Sequence, residues 1–172
     1  VVVTSGTDRD MIDALIEAIS APHDAGTLEA KALSYRMRRI AHHLETRIRR
    51  ELAPQGIELW ELEMLACLRR ADPDCRLSAG ELMRQLQLTS GAVTNRVSRL
   101  TAKGWVTREV DEADRRSVSV VLTEEGRARA KAVFGGKTET EREVFSPLSR
   151  EQQHRINEDL RTLLLALEGP VA

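Results

Sequence analysis

The chain is short of several things, and each shortage removes a class of function. Cysteine occurs only twice in 172 residues, as Cys67 and Cys75. That is too few for a disulfide framework, so a reduced, cytoplasmic setting is the expectation. Aromatic residues are confined to Tyr35, Trp60, Trp105, Phe134 and Phe145. Single-strand binding stacks bases on several exposed rings, so it is disfavoured. The longest unbroken apolar run, Leu163 to Leu167, is far short of the ~20 residues of a membrane span. Val1 to Val3 have no basic flank and no adequate apolar region, so no signal peptide is expected. No internal repeat, Gly-rich phosphate loop or nucleophile–base spacing is visible, and the expectation is a protein that is not an enzyme and carries no cofactor. His42 and His43 are neighbours on a helix and point about 100° apart, a poor ligand pair. With His23, His154 and the cysteines added there is still no recognisable metal spacing, so no metal site is expected.

Net charge is also nearly absent, at −1, which taken alone argues against a nucleic-acid partner. The charge is unevenly spread, however. From Lys31 to Arg50 the cations are Lys31, Arg36, Arg38, Arg39, Arg47, Arg49 and Arg50, and the sole acid is Glu45. From Arg84 to Arg116 they are Arg84, Arg96, Arg99, Lys103, Arg108, Arg115 and Arg116, against Glu109, Asp111, Glu112 and Asp114. A binder of nucleic acid needs a basic face, not a basic whole.

Apolar periodicity predicts helices over Arg9–Ser20, about Leu28–Ala53, and Ile57–Arg70. Asp72-Pro73-Asp74 reads as a loop, which leaves Cys75 as an exposed, inert thiol. Cys67 falls inside a helix and reads as a small core residue. Ser78 with Glu81 has the spacing of a capping box and opens a short helix. Thr89 or Ser90 caps the next, which buries Val93, Val97 and Leu100 and stops at Gly104. The period then changes: Trp105–Val110 and Val118–Leu122 read as strands around a charged connection, Asp111–Ser117. Thr123 caps a further helix, weakened at Gly135-Gly136, and Pro147 and Ser149 mark the start of the last. The terminal helices carry apolar stripes, Leu33, Met37, Ile40 and Leu44 in one and Ile156, Leu160, Leu163, Leu164 and Leu167 in the other. Such stripes must bury, most simply against each other and a second copy of the chain.

This order is a helix-turn-helix followed by a two-stranded wing. The fold class is mainly α with a small β wing, framed by long N- and C-terminal dimerisation helices. The segments are 1–26, an N-terminal extension with a short helix; 27–56, a dimerisation helix; 57–123, the winged helix-turn-helix DNA-binding domain; and 124–172, the C-terminal dimerisation helices. The helix from Thr89 to Lys103 is the candidate reading element. Its polar face holds Thr89, Ser90, Gly91, Ala92, Thr94, Asn95, Arg96 and Arg99. Small residues let a helix N-terminus approach phosphates, and Asn and Arg make bidentate contacts to bases or phosphates. An ordinary solvated face would look similar, and the charged hairpin downstream is what separates the two. There Asp114 can hold Arg116 extended, the form that enters a narrow minor groove. Arg115 is either a phosphate contact or solvated.

Leu88-Thr-Ser-Gly-Ala-Val-Thr-Asn-Arg-Val-Ser-Arg-Leu, Lys103-Gly-Trp-Val, Asp111-Glu-Ala-Asp-Arg-Arg and Val121-Leu-Thr-Glu-Glu-Gly126 together resemble the MarR family of bacterial regulators, collinearly from about Glu58 to Ala130. The resemblance implies a homodimer with interlocked terminal helices, covering a palindromic operator on double-stranded DNA as a repressor. It places Ser90, Gly91, Ala92, Thr94, Asn95, Arg96 and Arg99 on the major-groove helix, and Arg116 and Asp114 on the wing. Many members release DNA on binding a small anionic or phenolic ligand, an oxidant or a metal. Urate-type members carry an Asp where this chain has Ser98, and a Trp in an added N-terminal helix that is absent here. Peroxide-sensing members keep a Cys near the start of the first long helix, where this chain has none.

Tyr35, Arg39, His43, Trp60 and Met64 are candidates for a pocket that takes a small aromatic or anionic ligand. Plain core and interface packing explains the same residues and is the favoured reading. A regulator without ligand input, a thiol-responsive regulator and a non-specific nucleoid protein are the other readings of the chain.

Overall fold

A computed structural model describes residues 8–71, 73–110 and 118–170. The wing tip carrying Asp114, Arg115 and Arg116 lies outside them. The chain divides into two compact units, residues 45–139 and residues 1–44 with 140–172. Among the described residues no helix is long and apolar enough to cross a membrane.

The unit of residues 45–139 is built around α3 (Leu59–Arg70), in which Leu62, Met64, Leu65, Cys67 and Leu68 are all 0–1% exposed. Against it stand α4 (Ala79–Leu86), α5 (Ser90–Ala102) and a three-stranded antiparallel sheet. The sheet has β1 (Arg76–Ser78), β2 (Val106–Val110) and β3 (Val118–Leu122) in the order β1-β3-β2. Val106 faces Leu122 and Val110 faces Val118, the register of the expected hairpin. Strand β1, with Leu77 opposite Val120, is not in the sequence reading. It is three residues long, too short for alternation to register, and only Leu77 points inward.

Cys75 departs from the sequence expectation. It is 2% exposed, not an open loop thiol. Its backbone is left-handed, at φ 48°, and its carbonyl accepts from Leu122 N at 3.1 Å. The turn thereby folds the thiol inward, beneath the guanidinium of Arg127, whose nitrogens lie 2.7 Å from Sγ and 3.2 Å from the Asp74 carbonyl. Cys67 is buried as expected.

Two glycines explain helix α6 (Glu124–Phe145), which is continuous and not interrupted at Gly135-Gly136. A Cβ on Gly136 would lie 2.6 Å from Oε1 of Glu51, so the glycine lets that side chain lie close. A Cβ on Gly126 would lie 2.0 Å from the Trp105 carbonyl oxygen. The start of α6 is thus pressed against the backbone that leads into the wing, and Thr123 caps it by accepting from Gly126 N at 3.0 Å.

The other unit contains α1 (Met11–Ala18), the first part of α2 (Ala25–Leu52), the end of α6 and α7 (Arg150–Glu168). Asp10 caps α1, accepting from Ile12 N and Asp13 N at 2.7 and 3.0 Å. Arg36 of α2 donates to Asp10 at 2.9 Å and to Asp13 at 2.5 Å, tying the short helix to the long one. The apolar stripes are present but uncovered. Leu33 is 62% exposed, Leu164 52% and Leu167 73%, and no residue of α7 is buried.

Candidate nucleic-acid interface

The candidate interface begins with two caps. Ser78 Oγ accepts from Glu81 N at 3.2 Å, and the Glu81 carboxylate accepts from Ser78 N at 2.7 Å, closing the expected capping box on α4. Those bonds from Ser78 hold the Glu81 carboxyl below the usual range. Helix α4 ends on Gln87 in the left-handed region, φ 51°. Thr89 then caps α5, its Oγ1 accepting from Ala92 N at 3.3 Å. The turn between the helices is therefore set by one left-handed residue and one hydroxyl.

Helix α5 buries Val93, Val97 and Leu100 and turns its other face outward. Thr89, Ser90, Gly91, Thr94, Asn95 and Arg99 are exposed, and Ala92 and Arg96 are half-buried. None of the eight sequence-predicted residues of this helix lies on its buried stripe. Ser98 accepts from the guanidinium of Arg108 on β2 at 2.8 Å, which couples the helix to the wing.

The two arginines are not free. Arg99 donates to Glu58 at 2.7 Å and stacks over Trp60, with its guanidinium carbon 4.5 Å from the ring centre. Arg96 lies 3.6 Å from Glu63 and 5.7 Å from the same ring. The Trp60 indole N–H donates to Glu58 at 2.8 Å. This bond, and then the guanidinium of Arg99, hold the Glu58 carboxyl below its ordinary range. Beneath them Glu61 is fully buried and accepts from Lys103 at 2.5 Å, pinning the end of α5 to the start of α3. Glu58, Glu61 and Glu63 are absent from the sequence reading. Their partners lie 33 to 42 residues on, and no local spacing links them.

The ligand candidates are divided between the two units. Met64 is 0% exposed. Trp60 is half-buried and engaged with the α5 arginines. Tyr35, Arg39 and His43 lie on the part of α2 that belongs to the other unit. A shallow cavity of about 430 Å³ is lined by Arg49, Ala53, Gly56, Ile57, Glu58 and Leu59, none of them among the candidates. The rings of His42 and His43 are 6.1 Å apart and tilted by 59°. Among the described residues no group of three or more His, Cys, Asp or Glu side chains is placed to hold a metal ion.

The model of the MarR family matches residues 55–117, which span α3 to the wing. Over those residues the chain is similar to the MarR family. It is 36% identical to the HTH-type transcriptional regulator PecS of Dickeya dadantii over 108 residues, which cover 63% of this chain. Those residues also span 63% of PecS, under two thirds of its length. Similarity to the HTH-type transcriptional repressor Rv2887 of Mycobacterium tuberculosis is lower, at 28%, but covers 80% of this chain and 97% of that one. Among solved structures, the MarR-family regulator Sco3205 of Streptomyces coelicolor, in complex with DNA, superposes with a TM-score of 0.74 at 27% identity. That match covers 81% of this chain and 92% of Sco3205.

Proposed function

We propose that the chain is a sequence-specific, double-stranded DNA-binding transcriptional regulator, acting as a homodimeric repressor on a palindromic operator. The observation that carries this reading is the α5 face. A capped helix N-terminus, small side chains and Asn95 are presented together on a helix whose opposite face is buried. Small residues admit the helix to the major groove, and an Asn at a base edge reads adenine bidentately. Thr89, Ser90, Gly91, Ala92, Thr94, Asn95, Arg96 and Arg99 form the major-groove set. On the wing, Arg116 serves the minor groove with Asp114 orienting it, and Arg115 is a phosphate contact or solvated. Helix 27–56 and the helices of 124–172 are the dimerisation elements, in keeping with their uncovered apolar rows. Release by a small aromatic or anionic ligand belongs to the reading on the strength of the family resemblance, and a ligand panel read by thermal shift tests it.

Footprinting on a duplex selected from a random pool tests the core of the proposal. The expected footprint is two-fold symmetric, with half-sites one helical turn, about 34–36 Å, apart. Asn95→Ala should cost on the order of 1–3 kcal/mol at one half-site position, with little change in salt dependence. A single asymmetric half-site would defeat the dimeric reading, and no enrichment of any sequence would defeat specific recognition.

A further inference from the structure

Helix α5 carries two charged residues, Arg96 and Arg99, and no acid. Read along the sequence it is a cationic helix. In the folded chain each guanidinium faces a carboxylate from α3, Arg96 facing Glu63 and Arg99 facing Glu58. The Glu58 pair is the tighter, at 2.7 Å against 3.6 Å, and it is held at three points. The carboxylate grips the guanidinium edge, the Trp60 ring covers its face, and the indole N–H fixes the carboxylate by donating to its other oxygen. Both partners are about half exposed, 51% for the Arg99 side chain and 55% for Glu58, so the pair sits where DNA would approach.

We propose that Glu58, oriented by Trp60, is a specificity-determining residue that withholds Arg99 from the phosphates of arbitrary DNA. The inference rests on the DNA-binding reading above. Affinity for DNA of any sequence comes almost wholly from cations that displace counterions from phosphates. A guanidinium already paired with an internal carboxylate adds hydrogen-bond donors but little net charge, so it contributes little to that term. Specific affinity adds base-edge contacts, for which Thr94 and Asn95 are placed and which do not involve Glu58. On a preferred site those contacts fix the register, and Arg99 meets one defined position. On arbitrary DNA the register floats, and a freed Arg99 would find a phosphate anywhere. The internal pair therefore weakens unwanted binding more than wanted binding. The Glu58 carboxyl is held below its ordinary range by the Trp60 and Arg99 bonds, so it stays ionised wherever the protein is folded near neutral pH.

The test compares wild type, Glu58→Gln, Arg99→Gln and the double variant on a duplex selected by the wild type and on a scrambled duplex, across a salt series. Glutamine keeps an acceptor for the Trp60 indole and replaces the oxygen that grips Arg99 with an uncharged amide nitrogen. Glu58→Gln should tighten binding to the scrambled duplex by roughly two- to fivefold at low salt, the range for an exposed pair. Its salt slope should steepen by up to about 0.9. The selected duplex should gain less, so discrimination narrows. The double variant, which removes both charges of the pair, should return scrambled-duplex affinity and slope to about the wild-type values. Arg99→Gln alone leaves the Glu58 carboxylate uncompensated, so it should weaken both duplexes and the selected one more, a result that holds even if Glu58→Gln folds poorly. A wild type that discriminates, with discrimination unaltered by Glu58→Gln, overturns the proposal and leaves the DNA-binding reading intact. A double variant that keeps the Glu58→Gln gain over wild type overturns it too, by assigning the effect to the general field around Lys103. A wild type that enriches no sequence defeats the underlying reading.

Discussion

A methyl group at position 126 would have to displace the Trp105 carbonyl oxygen, 2.0 Å away, and that oxygen also accepts from Thr123 N at 3.1 Å. Backbone on one side and a helix start on the other leave no flexible side chain to yield. Gly126→Ala should therefore destabilise the chain by on the order of 1–3 kcal/mol, the usual cost of overpacking, in a denaturant melt. Gly135 has open space around it, and Gly135→Ala should stabilise α6 by up to about 1 kcal/mol in the same melt. The cysteines make the opposite comparison between sequence and structure. Both are buried, Cys67 at 0% and Cys75 at 2%, and burial pushes the Cys67 thiol up. A thiol reagent should label neither at an appreciable rate in the native protein and both on unfolding. Fast native labelling of Cys75 would show that the turn under Arg127 opens readily. Cys67 was legible as a core residue because it falls in a helical stripe. Cys75 was not, because one left-handed residue decided its direction and no periodicity records that.

Among the elements, helix starts were the most legible. Ser78, Thr89, Thr123 and Ser149 each cap the helix expected of them, since a hydroxyl accepting from a backbone N–H two or three residues on is a purely local interaction. Strand β1 and the α3 carboxylates were not legible, because their partners are set by the tertiary fold. The clamp on α1 lies between these cases: the Asp10 cap is local, its Arg36 partner distant. Arg36 first, and then the Asp13 and Ile12 amides, hold the Asp10 carboxyl at about 2, below the ordinary aspartate value of 3.8. The folded value is the depressed one. The stabilisation of α1 docking is therefore present above pH 3.8 and is lost as pH falls through about 2. In an NMR titration Arg36→Gln should bring the Asp10 midpoint back toward 3.8. An unchanged midpoint would show that the helix cap alone sets it.

At the scale of the whole molecule, the two units treat their apolar residues differently. Residues 45–139 bury theirs, with Leu52, Leu65, Leu82, Leu100 and Val133 all at 0% exposure. The other unit leaves Leu33, Met37 and Ile40 of α2 and Leu160, Leu163 and Leu164 of α7 at 36–62%. Rows of this kind were legible from their spacing, and so was their need for a partner. A second copy is the expected cover, so light scattering at tens of micromolar should give twice the monomer mass. Leu163→Asp or Leu164→Asp should shift that mass toward the monomer and weaken DNA binding along with it. A monomeric wild type would require another cover for these rows. What the sequence could not convey was the charge balance of the α5 face, since its cations and their carboxylates stand on different segments of the chain.

The positions of the two tryptophans have an optical consequence. Trp105 is 5% exposed, with Lys103 and Arg129 over its ring, so its emission should lie toward the blue and respond little to added quenchers. Trp60 is half-buried and stands between two guanidinium groups, so the solvent-sensitive part of the emission originates there. The chain thus carries an intrinsic fluorophore beside α5. Whatever moves Arg99 should change that light, and iodide quenching can follow it without a dye.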